Sequence, residues 1–244
     1  MATAFERHNI RHLSPSSLIL YRADPGLWAR RYLLKWQDSA GPAAWRGSAV
    51  EAGLAAVLHQ QPTPAIIPAT ERFELDALGD MSEAVDKQRQ LIEPMINMAV
   101  VATTDFPRRP AMQIKIEHWI DGCSVPLLMY LDFGFQDFDL DLKTTERIPS
   151  EPREDHLFQI GLYHAARKRP QKVLYVSAKK FALYDVTEEH AAAAVRDAVN
   201  AARALERYLS LSNDPRVLAG IFSPSTEGFR WNDNLRKMEA ELWA

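Results

Sequence analysis

The sequence predicts an α/β fold, a mixed β-sheet flanked by helices and preceded by a largely helical N-terminal part. Three observations indicate this class. Apolar residues recur at helical spacing through much of the first hundred positions. Three β-rich stretches then follow one another between residues 112 and 144, and a helical stretch separates them from two more strands and a long alanine-rich helix. We interpret residues 1–244 as one domain, with a helical part at 1–105, an α/β core at 106–210 and a tail at 211–244.

The N-terminal part contains several predicted helices. After Ser14, two short helices interrupted at Asp24-Pro25 are predicted from apolar and aromatic residues at helical spacing: Leu18, Tyr21, Leu27, Trp28 and Tyr32. A second helical stretch begins near Trp45. The proline-rich segment QPTPAIIP predicts a loop, and another helix is expected at about 82–102.

The strands come next in the chain. MQIKIEHWI, VPLLMYLDFGF and FDLDLKT are rich in β-branched, aromatic and aliphatic residues, and a turn near Gln136-Asp137 joins the last two. Residues 153–168 return to helical spacing, and KVLYVSAKKFALYDV predicts two further short strands. Thr187 caps the long alanine-rich helix, and NLRKMEAELWA predicts a terminal helix.

Bulk composition excludes some classes of protein. With 47% hydrophobic residues among 244, the chain can fill a core, so intrinsic disorder is excluded. The net charge is −3, so any surface for nucleic acid must be local. Cys123 is the only cysteine, which excludes internal disulfides and a four-thiolate metal site within one chain. No apolar run has the length of a signal peptide or a membrane span, so we expect a cytoplasmic protein without a membrane partner.

The stretch FDLDLKT carries the candidate chemistry. Strand alternation places Asp139, Asp141 and Lys143 on one face. If the preceding strand pairs with this one through the turn, its terminal Asp132 comes near Asp141, and two carboxylates that close favour a bound cation. The alternative interpretation is a solvated strand face with incidental charges. Against it, Asp141-Leu142-Lys143 is the only acid-x-Lys triplet in the chain.

The helix after this strand presents a polar stripe. His156, Gln159 and Tyr163 lie at positions i, i+3 and i+7, and therefore on one helix face. An ordinary exposed face would explain each of them separately.

Taken together, these motifs resemble the RecB-type branch of the PD-(D/E)XK nuclease superfamily. The pattern is Asp132 in YLDFGF, Asp141 and Lys143 in DLKTT, Gln159 and Tyr163 in a Gln-x-x-x-Tyr helix, and a strand ending in YVSAKK. The resemblance spans roughly residues 12–185. It implies a restriction-endonuclease-like core and a metal-dependent DNA nuclease.

The chain departs from that branch in two places. Glu51 stands where RecB-type enzymes commonly have histidine, but Arg46-Gly47 and Glu51 match the Arg-Gly-x-x-x-Glu of phage lambda-type exonucleases. Many relatives bind an iron–sulfur cluster through an early cysteine and three late ones, whereas this chain has Asp24-Pro25 and a tail without cysteine. We therefore expect no iron–sulfur cluster, its structural role being taken by packing of Phe222, Phe229 and Trp231.

The resemblance also implies roles for individual residues. Mg²⁺ or Mn²⁺ would be held by Asp132, Asp141, the backbone carbonyl of Leu142 and Glu51, and Lys143 would orient the attacking hydroxide. Gln159 and Tyr163 are interpreted as substrate-side contacts, and the products would keep a 5′-phosphate. The candidate DNA-binding residues are Arg46, Arg22, Lys179, Lys180, Ser14 and Ser16. Tyr21 and Trp28 could stack on unpaired bases, although core packing is the simpler explanation.

Several functional alternatives stay open. The expected activity is a DNA exonuclease acting on single- or double-stranded DNA with free ends, in recombination, repair or phage DNA processing, with a repair partner protein or a second copy of the chain as a possible partner. A structure-specific or restriction-like endonuclease would use the same core. A non-catalytic DNA-binding subunit is less compatible with the intact Asp132, Asp141, Lys143 and Gln159.

Overall fold

The computed structural model describes residues 2–37, 40–228 and 230–242, and it confirms the predicted α/β class, a mixed sheet flanked by helices. The chain forms two compact units that interleave in sequence. We call them the sheet unit (Ala40–Glu117 and Met129–Arg196) and the terminal unit (Met1–Ser39, His118–Leu128 and Asp197–Ala244). The division into three consecutive stretches of one domain stays a prediction. Phe229 lies outside the described residues.

The sheet has five strands in the order β1-β2-β3-β4-β5. Their bounds are β1 Ala111–His118, β2 Leu127–Gly134, β3 Asp139–Thr144, β4 Gln171–Val176 and β5 Phe181–Val186. β2 and β4 are antiparallel to β3 and β5 respectively, while β3 and β4 run parallel. Parallel neighbours need a crossover, which helix α7 (Glu154–Arg167) provides. The predicted strands and this helix are therefore confirmed.

Three helices complete the sheet unit: α4 Pro42–Leu58, α5 Ile66–Asp76 and α6 Glu83–Ala102. Their apolar side chains form one core with Leu140, Leu142 and Leu174 of the sheet. A side chain at Gly53 would begin 2.5 Å from Ile96, so glycine allows α4 to pack closely on α6. The interpretation of QPTPAIIP as a loop to its end was wrong, because α5 begins inside it. Pro68 lies in the first turn of α5, where its missing N–H has no helical partner to lose.

The terminal unit contains short helices from both ends of the chain: α1 Ala4–Arg7, α2 Pro15–Ala23, α3 Pro25–Tyr32, α9 Pro215–Gly220 and α10 Asp233–Leu242. The long helix α8 spans Glu188–Leu209. The predicted break at Asp24-Pro25 is confirmed, since the Asp24 carboxylate accepts the Leu27 N–H at 2.8 Å and caps α3. The short helices α1 and α9 were not predicted.

Polar contacts connect the early and late segments of the terminal unit. The indole N–H of Trp231 donates to Asp24 Oδ2 at 2.8 Å, and Trp231 is buried. The fully buried Arg30 donates to both carboxylate oxygens of Glu239, at 2.7 and 2.6 Å, and to the carbonyl of Ala219 at 2.8 Å. Charge-assisted contacts of this kind hold α10 and α9 against α3.

None of the helices within the described ranges combines the length and the apolar character that crossing a bilayer would require.

Candidate active site

Two neighbouring strands bring the predicted acidic residues together. β2 and β3 pair at Phe133↔Leu140 and Gly134↔Asp139. Further along β3, the Asp132 carboxylate accepts the backbone N–H of Leu142 at 2.8 Å. Asp132 is thus held beside the Asp141-Leu142-Lys143 triplet, with Asp141 fully buried on β3. The turn at Gln136-Asp137 therefore produces the juxtaposition that alternation predicts.

Lys143 is held by a chain of side chains from α7. Its Nζ lies 2.7 Å from Asp141 Oδ2 and donates to Gln159 Oε1 at 3.0 Å. Gln159 Nε2 donates to Tyr163 Oη at 2.6 Å, and this hydroxyl donates to the carbonyl of Tyr130 at 2.8 Å. Tyr163 is 1% exposed. Gln159 thus contacts Lys143 directly and Tyr163 contacts Gln159, and their interpretation as substrate-side contacts stays a prediction.

Glu51 approaches the same site from α4. Its Oε1 accepts a hydrogen bond from Gln113 Nε2 at 2.5 Å, and it interacts electrostatically with Asp141 and Asp132. Gln113 lies in β1 with a φ of 46°, the left-handed region that non-glycine residues rarely occupy. Nothing in the sequence distinguishes this glutamine from the other polar residues of β1.

Burial and neighbouring charges alter the ionisation of Asp132, Glu51 and Lys143. Burial raises the pKa of Asp132 well above its usual range, and the charges of Asp141 and Glu51 raise it further. Burial also raises the pKa of Glu51, although the Gln113 hydrogen bond opposes the change. Burial lowers the pKa of Lys143, but Asp141 and Asp132 outweigh it and the net pKa is raised. Lys143 therefore stays protonated at neutral pH.

The oxygen atoms of this site fit a small hard cation. Asp141 Oδ1 is buried and has no hydrogen-bond partner among the described residues. Across residues 2–37, 40–228 and 230–242, no set of three or more His, Cys, Asp or Glu side chains converges in an arrangement that could hold a metal ion. Mg²⁺ does not require such a set, because proteins often bind it through one or two carboxylates, with water and substrate phosphate completing the octahedron. Asp132, Asp141 and the Leu142 carbonyl are suitable ligands of this kind, with Glu51 nearby.

Arg46 has a different position from the one its predicted role needs. Its side chain is 4% exposed and donates to Gln88 and, at 3.3 Å, to Thr144 Oγ1. A side chain at Gly47 would begin 3.4 Å from Thr144 Oγ1, an ordinary van der Waals distance, so α4 lies against the end of β3 here. The guanidinium therefore holds α4, α6 and the end of β3 together instead of lying at the surface for a phosphate.

The remaining DNA-binding candidates are divided between the units. Lys179 and Lys180 are exposed on the β4–β5 turn of the sheet unit. In the terminal unit, Ser14 caps α2 and accepts the Ser17 N–H at 3.1 Å, Ser16 is exposed next to it, and Arg22 forms an ion pair with Asp197 at 3.1 Å.

The two aromatic candidates for base stacking also lie in the terminal unit. Trp28 is fully buried and stacks on Tyr32 with ring centroids 5.1 Å apart, and Tyr21 packs edge-on against it. The interpretation as a core residue is confirmed for Trp28, while Tyr21 is partly exposed.

Asp139 and His156 were each predicted on the same face as other site residues, Asp139 on β3 and His156 on α7, but both have partners of their own. Asp139 is fully buried and accepts from Arg167 at 2.6 and 3.2 Å and from Gln171 at 2.7 Å, so it is a structural anion. His156 Nδ1 lies 2.6 Å from the hydroxyl of Tyr175. Burial and the nearby Lys143 lower the His156 pKa to about 4, which keeps the imidazole neutral at pH 7.

No protein-family model and no curated protein sequence matches the chain. Its fold is similar to that of the "putative exonuclease" from Eubacterium rectale, with a TM-score of 0.59 and 12% identity, covering 93% of this chain and 88% of that one. The structure of the protein SSO0001 aligns with a TM-score of 0.36 and 12% identity, covering 70% of this chain and 80% of the other. The first similarity establishes a shared fold, and the second is too weak to add to it.

Proposed function

We propose that the protein is a Mg²⁺- or Mn²⁺-dependent deoxyribonuclease that hydrolyses phosphodiester bonds at DNA ends. The observation that carries the proposal is the convergence of Asp132, Asp141 and Lys143 from two adjacent strands. The resemblance to PD-(D/E)XK nucleases in motif order, and the shared fold with a protein named a putative exonuclease, support the same activity. The preference for ends rests on these likenesses alone.

Each side chain of the site has a part in this reaction. A bound Mg²⁺ or Mn²⁺ would supply concentrated positive charge beside the scissile phosphate. Lys143 adds a fixed ammonium that can donate to the attacking water or to a phosphoryl oxygen, and Gln159 keeps it from swinging away. Tyr163 anchors Gln159 to the Tyr130 carbonyl on β2, so α7 and the sheet hold Lys143 in register with Asp132. Preorganisation of this kind lowers the barrier because no group must reorient during the reaction.

The proposal is tested by digestion of linear and covalently closed circular DNA, single- and double-stranded, with Mg²⁺, with Mn²⁺ and with a chelator. We expect linear DNA to be degraded only with metal, and closed circles to stay intact. A Lys143→Ala preparation made in parallel should be inactive, which excludes a contaminating nuclease. Rapid nicking of closed circles would identify an endonuclease instead, and intact linear DNA with both metals would contradict the proposed activity.

Glu51 offers a separate test of metal binding. Glu51→Gln keeps the shape of the side chain and removes its charge, so we expect Mn²⁺ affinity, measured by calorimetry, to fall on the order of tenfold or more, with a loss of cleavage. Glu71→Gln makes the same change on the exposed surface of α5 and should leave both unchanged. Equal Mn²⁺ affinity and activity in wild type and Glu51→Gln would show that Glu51 does not participate.

A further inference from the structure

A cleft of about 680 Å³ lies in the sheet unit between α6, the loop after β3 and the β4–β5 turn. Its apolar lining comes from Leu91 and Met95 of α6, Ile148 of the loop after β3, and Ala178 of the β4–β5 turn. Clefts of a few hundred to a thousand cubic ångströms with apolar walls and a few polar groups are the usual form of small-ligand sites. The volume suits one or two nucleotide units.

The polar lining of the cleft is strongly cationic. Lys87, Arg147, Lys179 and Lys180 line it, with Glu146 as the acid among them. Glu146 already interacts with Lys87, at 3.6 Å. Within the described part of the chain, Arg147, Lys179 and Lys180 form no ion pair with an acidic side chain. In a chain of net charge −3, this concentration of basic side chains favours a polyanion.

The chain itself limits the distance between the cleft and the site. Glu146 follows Lys143 by three residues, so the two Cα atoms are at most about 11 Å apart. A stacked nucleic-acid strand advances about 3.4 Å per nucleotide, so this distance corresponds to roughly three nucleotides. The Cα atom of Lys143 and the cleft wall at Glu146 are therefore separated by no more than the length of a few nucleotides.

Hydrogen bonds connect the walls of the cleft. Gln88 Oε1 accepts a hydrogen bond from the Arg46 guanidinium, and Gln88 Nε2 donates to Glu146 Oε1 at 3.4 Å. These two bonds join α4, α6 and the loop after β3. Ser177 Oγ accepts the Lys180 N–H at 3.0 Å and donates to its carbonyl at 3.0 Å, which holds the turn carrying both lysines. The cleft is thus preorganised, which limits the entropy lost on binding.

We propose that this cleft binds an unpaired nucleotide of the substrate strand, within about three nucleotides of the scissile bond, so that the substrate is single-stranded or frayed DNA at that position. The apolar lining takes the face of the base and the basic side chains take its flanking phosphates. A base inside a duplex is stacked and paired, so its face is not available to an apolar wall, whereas an unpaired base buries its face there. This inference rests on the proposed function for the position of the scissile bond.

The test is an abasic scan combined with cleft variants. Linear substrates with a single-stranded overhang carry one abasic nucleotide at successive positions on either side of the cleavage site. In wild type we expect kcat/KM to fall about tenfold when the abasic nucleotide occupies one particular position on one side of the cleavage site. Ile148→Ser, which makes the lining polar, should remove this dependence on position.

Binding is measured separately, by fluorescence anisotropy of a labelled single-stranded oligonucleotide in a Lys143→Ala background. Changing Arg147, Lys179 and Lys180 to alanine together should reduce the slope of log Kd against log salt by about 2, since each single-strand phosphate contact contributes about 0.7. Changing Arg108, Arg109 and Lys115, which do not line the cleft, removes the same charge from exposed positions of the sheet unit and should reduce the slope much less.

The outcomes separate this inference from the proposed function. If DNA is cleaved but kcat/KM does not depend on the position of the abasic nucleotide, the cleft does not bind a base, and the nuclease proposal stands. The same conclusion holds if Ile148→Ser shows the same dependence on position as wild type. Oligonucleotide binding that depends on the three cleft cations without any cleavage supports the cleft and contradicts the nuclease. Equal salt slopes for both triple variants overturn the phosphate contacts.

Discussion

Asp132→Asn is expected to abolish DNA cleavage while making the metal-free protein more stable at neutral pH. The amide keeps an oxygen that can accept the Leu142 N–H, but it removes the charge that would hold the proposed cation. We expect kcat/KM to fall by at least about 10³-fold, the scale on which one preorganised electrostatic group acts in an active site. Activity is measured on linear DNA with saturating Mg²⁺, and stability by urea unfolding with a chelator.

The stability gain has a defined pH dependence. The folded-state pKa of Asp132 is raised, first by burial and then by Asp141 and Glu51, so the folded protein retains a proton that the unfolded chain has lost. The wild type therefore loses stability as the pH rises from the ordinary aspartate value, about 3.9, through the raised pKa. Asp132→Asn escapes this loss, so its advantage appears in that window, persists at neutral pH and vanishes below about pH 3.9.

Asp137→Asn is the matched control, because it changes an exposed aspartate in the turn between β2 and β3. It should alter neither activity nor the pH profile of unfolding. Near wild-type cleavage by Asp132→Asn with saturating Mg²⁺ would remove Asp132 from the active site. An Asp132→Asn protein less stable than wild type at pH 7 would show that the folded protein does not disfavour the charged form of Asp132.

Glu239→Ala is expected to destabilise the protein by about 3–5 kcal/mol, because it leaves the buried Arg30 guanidinium without its counter-ion. The carbonyl of Ala219 still accepts from Arg30, but a neutral acceptor does not compensate a buried charge. The measurement is the urea midpoint, followed by tryptophan fluorescence, since Trp28 and Trp231 are both buried in the terminal unit.

Glu241→Ala removes an exposed glutamate from the same helix and should change stability by less than about 0.5 kcal/mol. If the two variants unfold at the same urea concentration, the Arg30–Glu239 pair contributes no more to the free energy of unfolding than an exposed ion pair does. Apolar packing would then hold α10 to α3 instead.

Local pattern was sufficient to predict the strands and the central acid–lysine pair. Alternation in FDLDLKT assigns Leu140 and Leu142 to one face and Asp141 to the other, and in the structure the leucines join the core of α4–α6 while Asp141 interacts with Lys143. The helical spacing of Gln159 and Tyr163 likewise predicts their common face. These properties depend on neighbours a few residues apart, which sequence periodicity records directly.

Features that depend on distant partners were not predictable in the same way. Arg46 resembles a surface phosphate contact in sequence, but in the fold its guanidinium is buried against Gln88 of α6 and Thr144 at the end of β3. Strand alternation places Asp139 on the same face as Asp141, yet hydrogen bonds from Arg167 and Gln171 give Asp139 a structural role. Gln113 donates to Glu51 from a position in β1 with a positive φ, and no spacing rule predicts either feature.

The contact between Arg30 and Glu239 sets an order of events during synthesis on the ribosome. Arg30 is translated early, and its carboxylate partner follows 209 residues later. At about 5–20 residues per second, that interval is roughly 10–40 s, during which α3 has neither Glu239 nor the Trp231 indole against Asp24. The sheet unit ends at Arg196, so every strand has been translated before either late partner exists. A nascent chain released before residue 239 would therefore carry a sheet able to pair and an N-terminal segment still exposing apolar surface, which makes such truncated products natural clients for chaperones and proteases.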